Sequence, residues 1–135
     1  MKEIKTITCF LFPSEGGKEM NKKRVWIHCR VSNESEKGLL RYQRDKLVKE
    51  LTNNDCRIIG VTSEISKGIN PKSKELDTIK IHARRREIDY VLVYDESRIL
   101  IYKDMFMEFK MYCEQLKVHI VSLEHVLPEF HTNKF

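Results

Sequence analysis

Apolar residues along most of this chain fall into two alternating patterns, short runs of strand length and longer stretches at three-four spacing. Val25, Ile27, Cys29 and Val31 alternate within Arg24–Val31, the period of a strand with one buried face. Ser32-Asn33 follows as a helix cap, and Leu39, Leu40, Gln43, Leu47, Val48 and Leu51 then recur at helical spacing. Cys56–Val61 reads as a second strand. The polar stretch Thr62–Ser73 holds Gly68 and Pro71 and predicts a loop with little to bury. Leu76, Ile79, Lys80 and Ala83 predict the next helix, ending at Arg84-Arg85-Arg86, where cations complement the helix dipole. Ile88–Tyr94 has an unbroken apolar centre, as expected of a central parallel strand buried on both faces. A helix over Lys103–Leu116 carries Met105, Phe106, Phe109, Tyr112 and Cys113, and Val118–Leu123 closes as a fourth strand. The alternation predicts an α/β fold, a three-layer sandwich around a mainly parallel sheet of four or more strands with right-handed crossovers.

Residues 1–22 break this regularity. Thr6–Phe12 has the composition of a short strand, and Pro13–Lys18 interrupts it, so an added edge strand and a loose tail both fit. The expected division is an N-terminal extension at 1–22, one domain at 23–127 and a short tail at 128–135. A chain of 135 residues has the length of one domain. With 41% hydrophobic and 33% charged residues, and only 5 Gly and 3 Pro, it is neither collagen-like nor low-complexity. No apolar run approaches transmembrane length, and Met1–Phe12 offers no signal-peptide core, so no membrane partner and a cytoplasmic location are expected. Cys9, Cys29, Cys56 and Cys113 show no metal-knuckle spacing and read as free thiols.

Charge narrows the partners. The formal net charge is +5, and the excess is concentrated. Lys18–Arg30 holds five basic residues against Glu19, and Lys72–Arg86 holds six against Glu75 and Asp77. Such concentrations suit a polyanion, although solvated helix faces have the same appearance.

In open α/β sheets ligands gather beyond the carboxyl ends of the strands. Arg30 and Ser32, the loop Glu64–Ser73, and Asp95-Glu96-Ser97-Arg98 all fall there. A serine and two arginines with no His-Asp pair do not form a hydrolase triad. Guanidinium groups do suit the non-bridging oxygens of a phosphate. A response-regulator-like domain would need acidic residues after the first strand, where His28-Cys29-Arg30 stands instead. His28 itself reads as a packed core residue.

Arg30-Val31-Ser32 followed by Gln43 resembles the opening of the catalytic domain of serine site-specific recombinases, the resolvase and DNA invertase family. Glu64-Ile65-Ser66-Lys67-Gly68-Ile69-Asn70, followed by Leu76, is similar to that family's acidic, glycine-containing loop. Asp89–Val93 and then Arg98 resemble its buried third strand and the Asp-Arg-Leu-x-Arg string beyond it. The resemblance covers residues 24 to about 125. It implies that Ser32 is a nucleophile toward a DNA phosphate, giving a 5′-phosphoserine link and a free 3′-hydroxyl with no metal or cofactor. Arg30 and Arg98 would assist it, and Lys72, Lys74, Arg84, Arg85 and Arg86 would contact DNA.

The departures from the family pattern are specific. His28 replaces the usual Tyr, Glu36 a frequent Gln, Ser97 an Asp, and Ser73 and Ile101 two arginines. One such donor is worth about 2.7–4 kcal/mol to a transition state, so cleavage by the isolated chain should be very slow or absent. No reading helix is evident, and DNA binding by this chain alone should be weak and nonspecific. A homo-oligomer or a partner recombinase is expected. The alternative function is a noncatalytic dimerisation or regulatory module acting with a full-length recombinase.

Overall fold

The computed structural model describes residues 23–52 and 56–123. The extension at 1–22, the tail at 128–135, Cys9, His125 and His131 lie outside them. In chain order the elements are β1 (Lys23–Val31), a 3-10 turn (Glu34–Glu36), α1 (Lys37–Thr52), β2 (Cys56–Ile65), α2 (Lys74–Arg84), β3 (Tyr90–Val93), a second 3-10 turn (Glu96–Arg98), α3 (Lys103–Gln115) and β4 (His119–Ser122). The strands form one sheet of order β2-β1-β3-β4, with every pair parallel.

This order reverses direction between β1 and β3. With right-handed crossovers, the helix leaving β1 must then lie on one face and the helices flanking β3 on the other. The core divides in that way. Leu47 and Leu51 of α1 pack with Val25, Ile27, Cys29 and Leu92. Leu76, Ile79 and Ala83 of α2 join Phe106, Phe109 and Cys113 of α3 over Trp26, Val91 and Val93. β3 is buried from Val91 to Val93, as its continuous apolar run predicts.

Three local expectations are corrected. Strand β2 runs to Ile65 instead of ending at Val61, because Thr62–Ile65 pair in register with His28–Val31. Ser32-Asn33 does not cap α1 directly. Asn33 precedes the 3-10 turn and makes no side-chain cap bond, although the Ser35 hydroxyl donates to Asn33 Oδ1. Leu39 is 49% exposed, so the stripe of α1 that faces the sheet is Gln43, Leu47 and Leu51. Within β2 the register slips at Ile59, and Gly60 then faces Trp26. A Cβ at Gly60 would lie 2.4 Å from the indole ring, so only glycine leaves room for it.

Candidate active site at the carboxyl ends of the strands

The reversal falls between β1 and β3, and in such sheets ligands usually lie beyond the carboxyl ends at that point. Ser32 leaves β1 there and is exposed. Arg30, two residues earlier, is 2% exposed. Its guanidinium bridges the two flanking loops, Nη1 donating to the Ser66 carbonyl at 2.6 Å and Nη2 to the Ser97 carbonyl at 2.7 Å. Arg98 returns the contact, its Nη1 donating to the Arg30 carbonyl at 3.1 Å. The Nε atoms of both arginines are buried without a hydrogen-bond partner. Arg98 Nε nevertheless lies 3.4 Å from Asp95 Oδ2. Burial and the neighbouring Arg98 charge lower the Arg30 pKa, with Glu64 and Asp95 opposing. Thus Arg30 and Arg98 meet at the strand end from which Ser32 emerges.

Gln43 fixes the strand end. Its Oε1 accepts from the Arg30 amide at 3.2 Å and its Nε2 donates to the Arg30 carbonyl at 3.0 Å. A buried primary amide is one of few side chains that can satisfy both backbone groups of one residue. Glu36 turns its carboxylate onto the same strand end, accepting from the Ser32 amide at 3.0 Å. That places a negative charge beside the proposed nucleophile, where an incoming phosphate would be repelled.

Behind Arg30 lies a buried polar row. Alternation puts Trp26, His28 and Arg30 on one face of β1, and the register sets Thr62 opposite His28 and Glu64 opposite Arg30. Trp26 Nε1 donates to Thr62 Oγ1 at 3.0 Å, and Thr62 Oγ1 lies 2.7 Å from His28 Nδ1. Glu64 accepts from the Ser66 hydroxyl at 2.6 Å and the Ser73 hydroxyl at 3.3 Å. His28 Nε2 is 3.6 Å from Glu64 Oε1. Burial, reinforced by the Arg30 charge, holds the His28 pKa down to about 4, and a contact with the Arg98 backbone works against it. Burial pushes the Glu64 carboxyl up, and the Ser66 and Ser73 hydroxyls oppose it. Both shifts favour neutral forms, so burial outweighs the attraction between the two groups.

The loop at 66–73 is tied to its neighbours by backbone bonds, although Lys67, Ile69, Asn70 and Lys72 are exposed. The Ser66 amide donates to the Val31 carbonyl, and the Ile101 amide to the Gly68 carbonyl. Gly68 is buried at φ 72°, and a Cβ there would lie 2.7 Å from Arg30 Cζ. Only glycine combines that backbone with that approach. Ser73 caps α2, its hydroxyl accepting from the Leu76 amide at 3.2 Å. Ile101 is 45% exposed.

The basic residues divide between the two ends of the sheet. Lys72, on the loop leading into α2, and Lys74, its first residue, are exposed at the site end. Arg84, Arg85 and Arg86 lie at the opposite end, between α2 and the start of β3. Arg84 donates to the Tyr112 hydroxyl and Arg86 to the Leu116 carbonyl. The Arg86 carbonyl accepts from Arg24 Nη1, which is about 23 Å along β1 from Val31 at strand rise. The triplet therefore lies at the other end of the sheet from Ser32. Cys29 and Cys113 are buried, their thiols pushed up to about 12 by desolvation. Among the described residues no group of three or more His, Cys, Asp or Glu is placed to hold a metal ion, and no helix is long and apolar enough to cross a membrane.

Solved structures share this fold. The C-terminal catalytic domain of ISC1926 TnpA, an IS607-like serine recombinase, is 24% identical, with a TM-score of 0.70 over 74% of this chain and 70% of that one. The N-terminal catalytic domain of TP901-1 integrase is 22% identical, with a TM-score of 0.67 over 77% and 79%. A resolvase family site-specific recombinase from Streptococcus pneumoniae is 18% identical, with a TM-score of 0.67 over 77% and 74%. No curated protein sequence matches. The sequence profile of the resolvase N-terminal domain matches residues 25–134, and the chain belongs to that family of serine recombinase catalytic domains.

Proposed function

We propose that this domain carries a weakened DNA phosphodiester-transfer site with Ser32 as the nucleophile. The observation that carries the reading is the convergence of Arg30 and Arg98 at the strand end from which Ser32 emerges. In the reaction Ser32 Oγ attacks the phosphorus and loses its proton. The bond from phosphorus to the 3′-oxygen breaks, the 3′-oxygen leaves as a hydroxyl, and a 5′-phosphoserine link remains. Return of the 3′-hydroxyl reverses the step and conserves the phosphodiester. Serine is a weak nucleophile at neutral pH, so the rate depends on in-line alignment and on guanidinium charge at the phosphate. Arg30 and Arg98 supply part of that charge. Lys72 and Lys74 approach as point charges without an arginine fork.

A second reading, a noncatalytic module that pairs with a copy of itself or with a full-length recombinase, is favoured by one specific arrangement. Both Nη groups of Arg30 are engaged by backbone carbonyls, and Ser73 is committed to a helix cap. DNA contact by this chain alone is then weak, nonspecific and salt-dependent. The discriminating experiment is denaturing-gel detection of a protein–DNA adduct on nicked duplex, with and without a full-length recombinase. An adduct present in the native chain and lost in Ser32→Ala supports the transfer reading. An equal adduct in S32A removes Ser32 as the nucleophile, and no adduct under either condition leaves the noncatalytic module.

A further inference from the structure

The row behind Arg30 has a feature that the transfer chemistry does not use. Glu64 is 5% exposed, and its two oxygens hold opposite ends of the 66–73 loop. Oε2 takes the Ser66 hydroxyl where the loop begins, and Oε1 takes the Ser73 hydroxyl where it enters α2. His28 backs this carboxyl from the sheet. Trp26 Nε1–H donates to Thr62 Oγ1, which also lies 2.7 Å from His28 Nδ1. His28 Nε2 faces Glu64 Oε1 at 3.6 Å without a hydrogen bond. The loop that Glu64 anchors lies directly on the Arg30 guanidinium, with the Ser66 carbonyl on Nη1 and Gly68 against Cζ.

We propose that Glu64 is a positioning residue that keeps the phosphate site closed: by anchoring both ends of the 66–73 loop, it holds the Ser66 carbonyl on Arg30, and an entering phosphate must displace that carbonyl. The proposal rests on the reading of Ser32, Arg30 and Arg98 as a phosphodiester site. A phosphate oxygen is a stronger acceptor for guanidinium than a neutral carbonyl. Exchange of one for the other is therefore limited by the loop, not by Arg30. The apparent affinity is the intrinsic affinity reduced by the fraction of molecules whose loop has opened, and Glu64 lowers that fraction.

The test uses the full chain and inorganic phosphate as the probe, read by NMR at the Arg30 Nε–H and the loop amides, with amide exchange alongside. Ser66→Ala cuts one anchor without changing charge or removing the carbonyl. It should speed exchange at 66–70, leave β3 protected, and tighten phosphate binding severalfold. Glu64→Ala should loosen both ends of the loop and tighten binding by about tenfold, the scale of one lost hydrogen bond. Glu64→Gln keeps one acceptor and should fall between. Unchanged loop exchange in S66A and E64A overturns the anchoring role while leaving the phosphodiester reading intact. Loosened loops with unchanged or weaker phosphate binding overturn the closing role. Loosened loops with no phosphate bound in any variant overturn the phosphodiester reading itself, and the closing role with it.

Discussion

Acid should destabilise this domain through one imidazole. His28 is fully buried, with Thr62, Glu64, Arg30 and the Arg98 backbone around it. Its pKa falls from 6.5 to about 4, and each unit is worth about 1.36 kcal/mol. Between these values the unfolded chain binds the proton and the folded one does not, so unfolding free energy rises with pH across that window. The contribution is complete above pH 6.5, and about 3 kcal/mol is lost as the pH falls to about 4. Glu64 acts in the opposite sense. Its raised carboxyl pKa favours the fold at low pH, and that contribution is lost as pH rises through the folded value. The two are separated by comparing the native chain with His28→Gln in urea unfolding at several pH values between 4 and 7. The native chain should lose about 3 kcal/mol more than H28Q over that range, and its His28 ring resonance should titrate near 4. Parallel stability curves, or a resonance titrating near 6.5, would refute the reasoning.

Five further outcomes are expected. Leu47→Ala, in the fully buried stripe of α1, should cost about 2–5 kcal/mol in urea unfolding. Gln43→Leu leaves the Arg30 amide without its acceptor and should cost about 1–3 kcal/mol, with faster amide exchange at Arg30. Glu36→Gln removes the carboxylate beside Ser32 and should tighten nonspecific duplex binding, measured by fluorescence anisotropy at fixed salt. Ile101→Arg should raise adduct yield on nicked DNA. Ser73→Arg should instead lower stability by about 1 kcal/mol through the lost cap, seen as a lower urea midpoint.

The elements were legible because their periodicities are clean. The three-four spacing of Leu76, Ile79 and Ala83 and the unbroken run at Val91–Val93 each correspond to a buried face. Arg30, Ser32 and Arg98, the proposed site residues, were legible as strings at the carboxyl ends of β1 and β3. The burial of His28 was legible too; what escaped was the pairing of the polar face of β1 with Thr62 and Glu64. Alternation marks Val25, Ile27 and Cys29 as inward and leaves Trp26, His28 and Arg30 for the other side, which is also buried because α2 and α3 cover it. Thr62 and Glu64 read as loop residues for the same reason: they are polar, and only their pairing with His28 and Arg30 makes them strand. The basic stretch Lys72–Arg86 reads as one surface in sequence, but α2 carries its two ends to opposite ends of the sheet. Ser73 reads as a missing arginine, whereas the fold uses it as a cap.

DNA phosphate is proposed to bind at the carboxyl ends of β1 and β3. Chemical-shift mapping of the full chain with a short nicked duplex tests that most directly, following backbone amides and arginine Nε–H groups through the titration. The account predicts shifts at Arg30–Asn33, along 66–73 and at Ser97-Arg98, reduced as salt increases. Shifts confined to Arg24 and Arg84–Arg86, at the other end of the sheet, would contradict it.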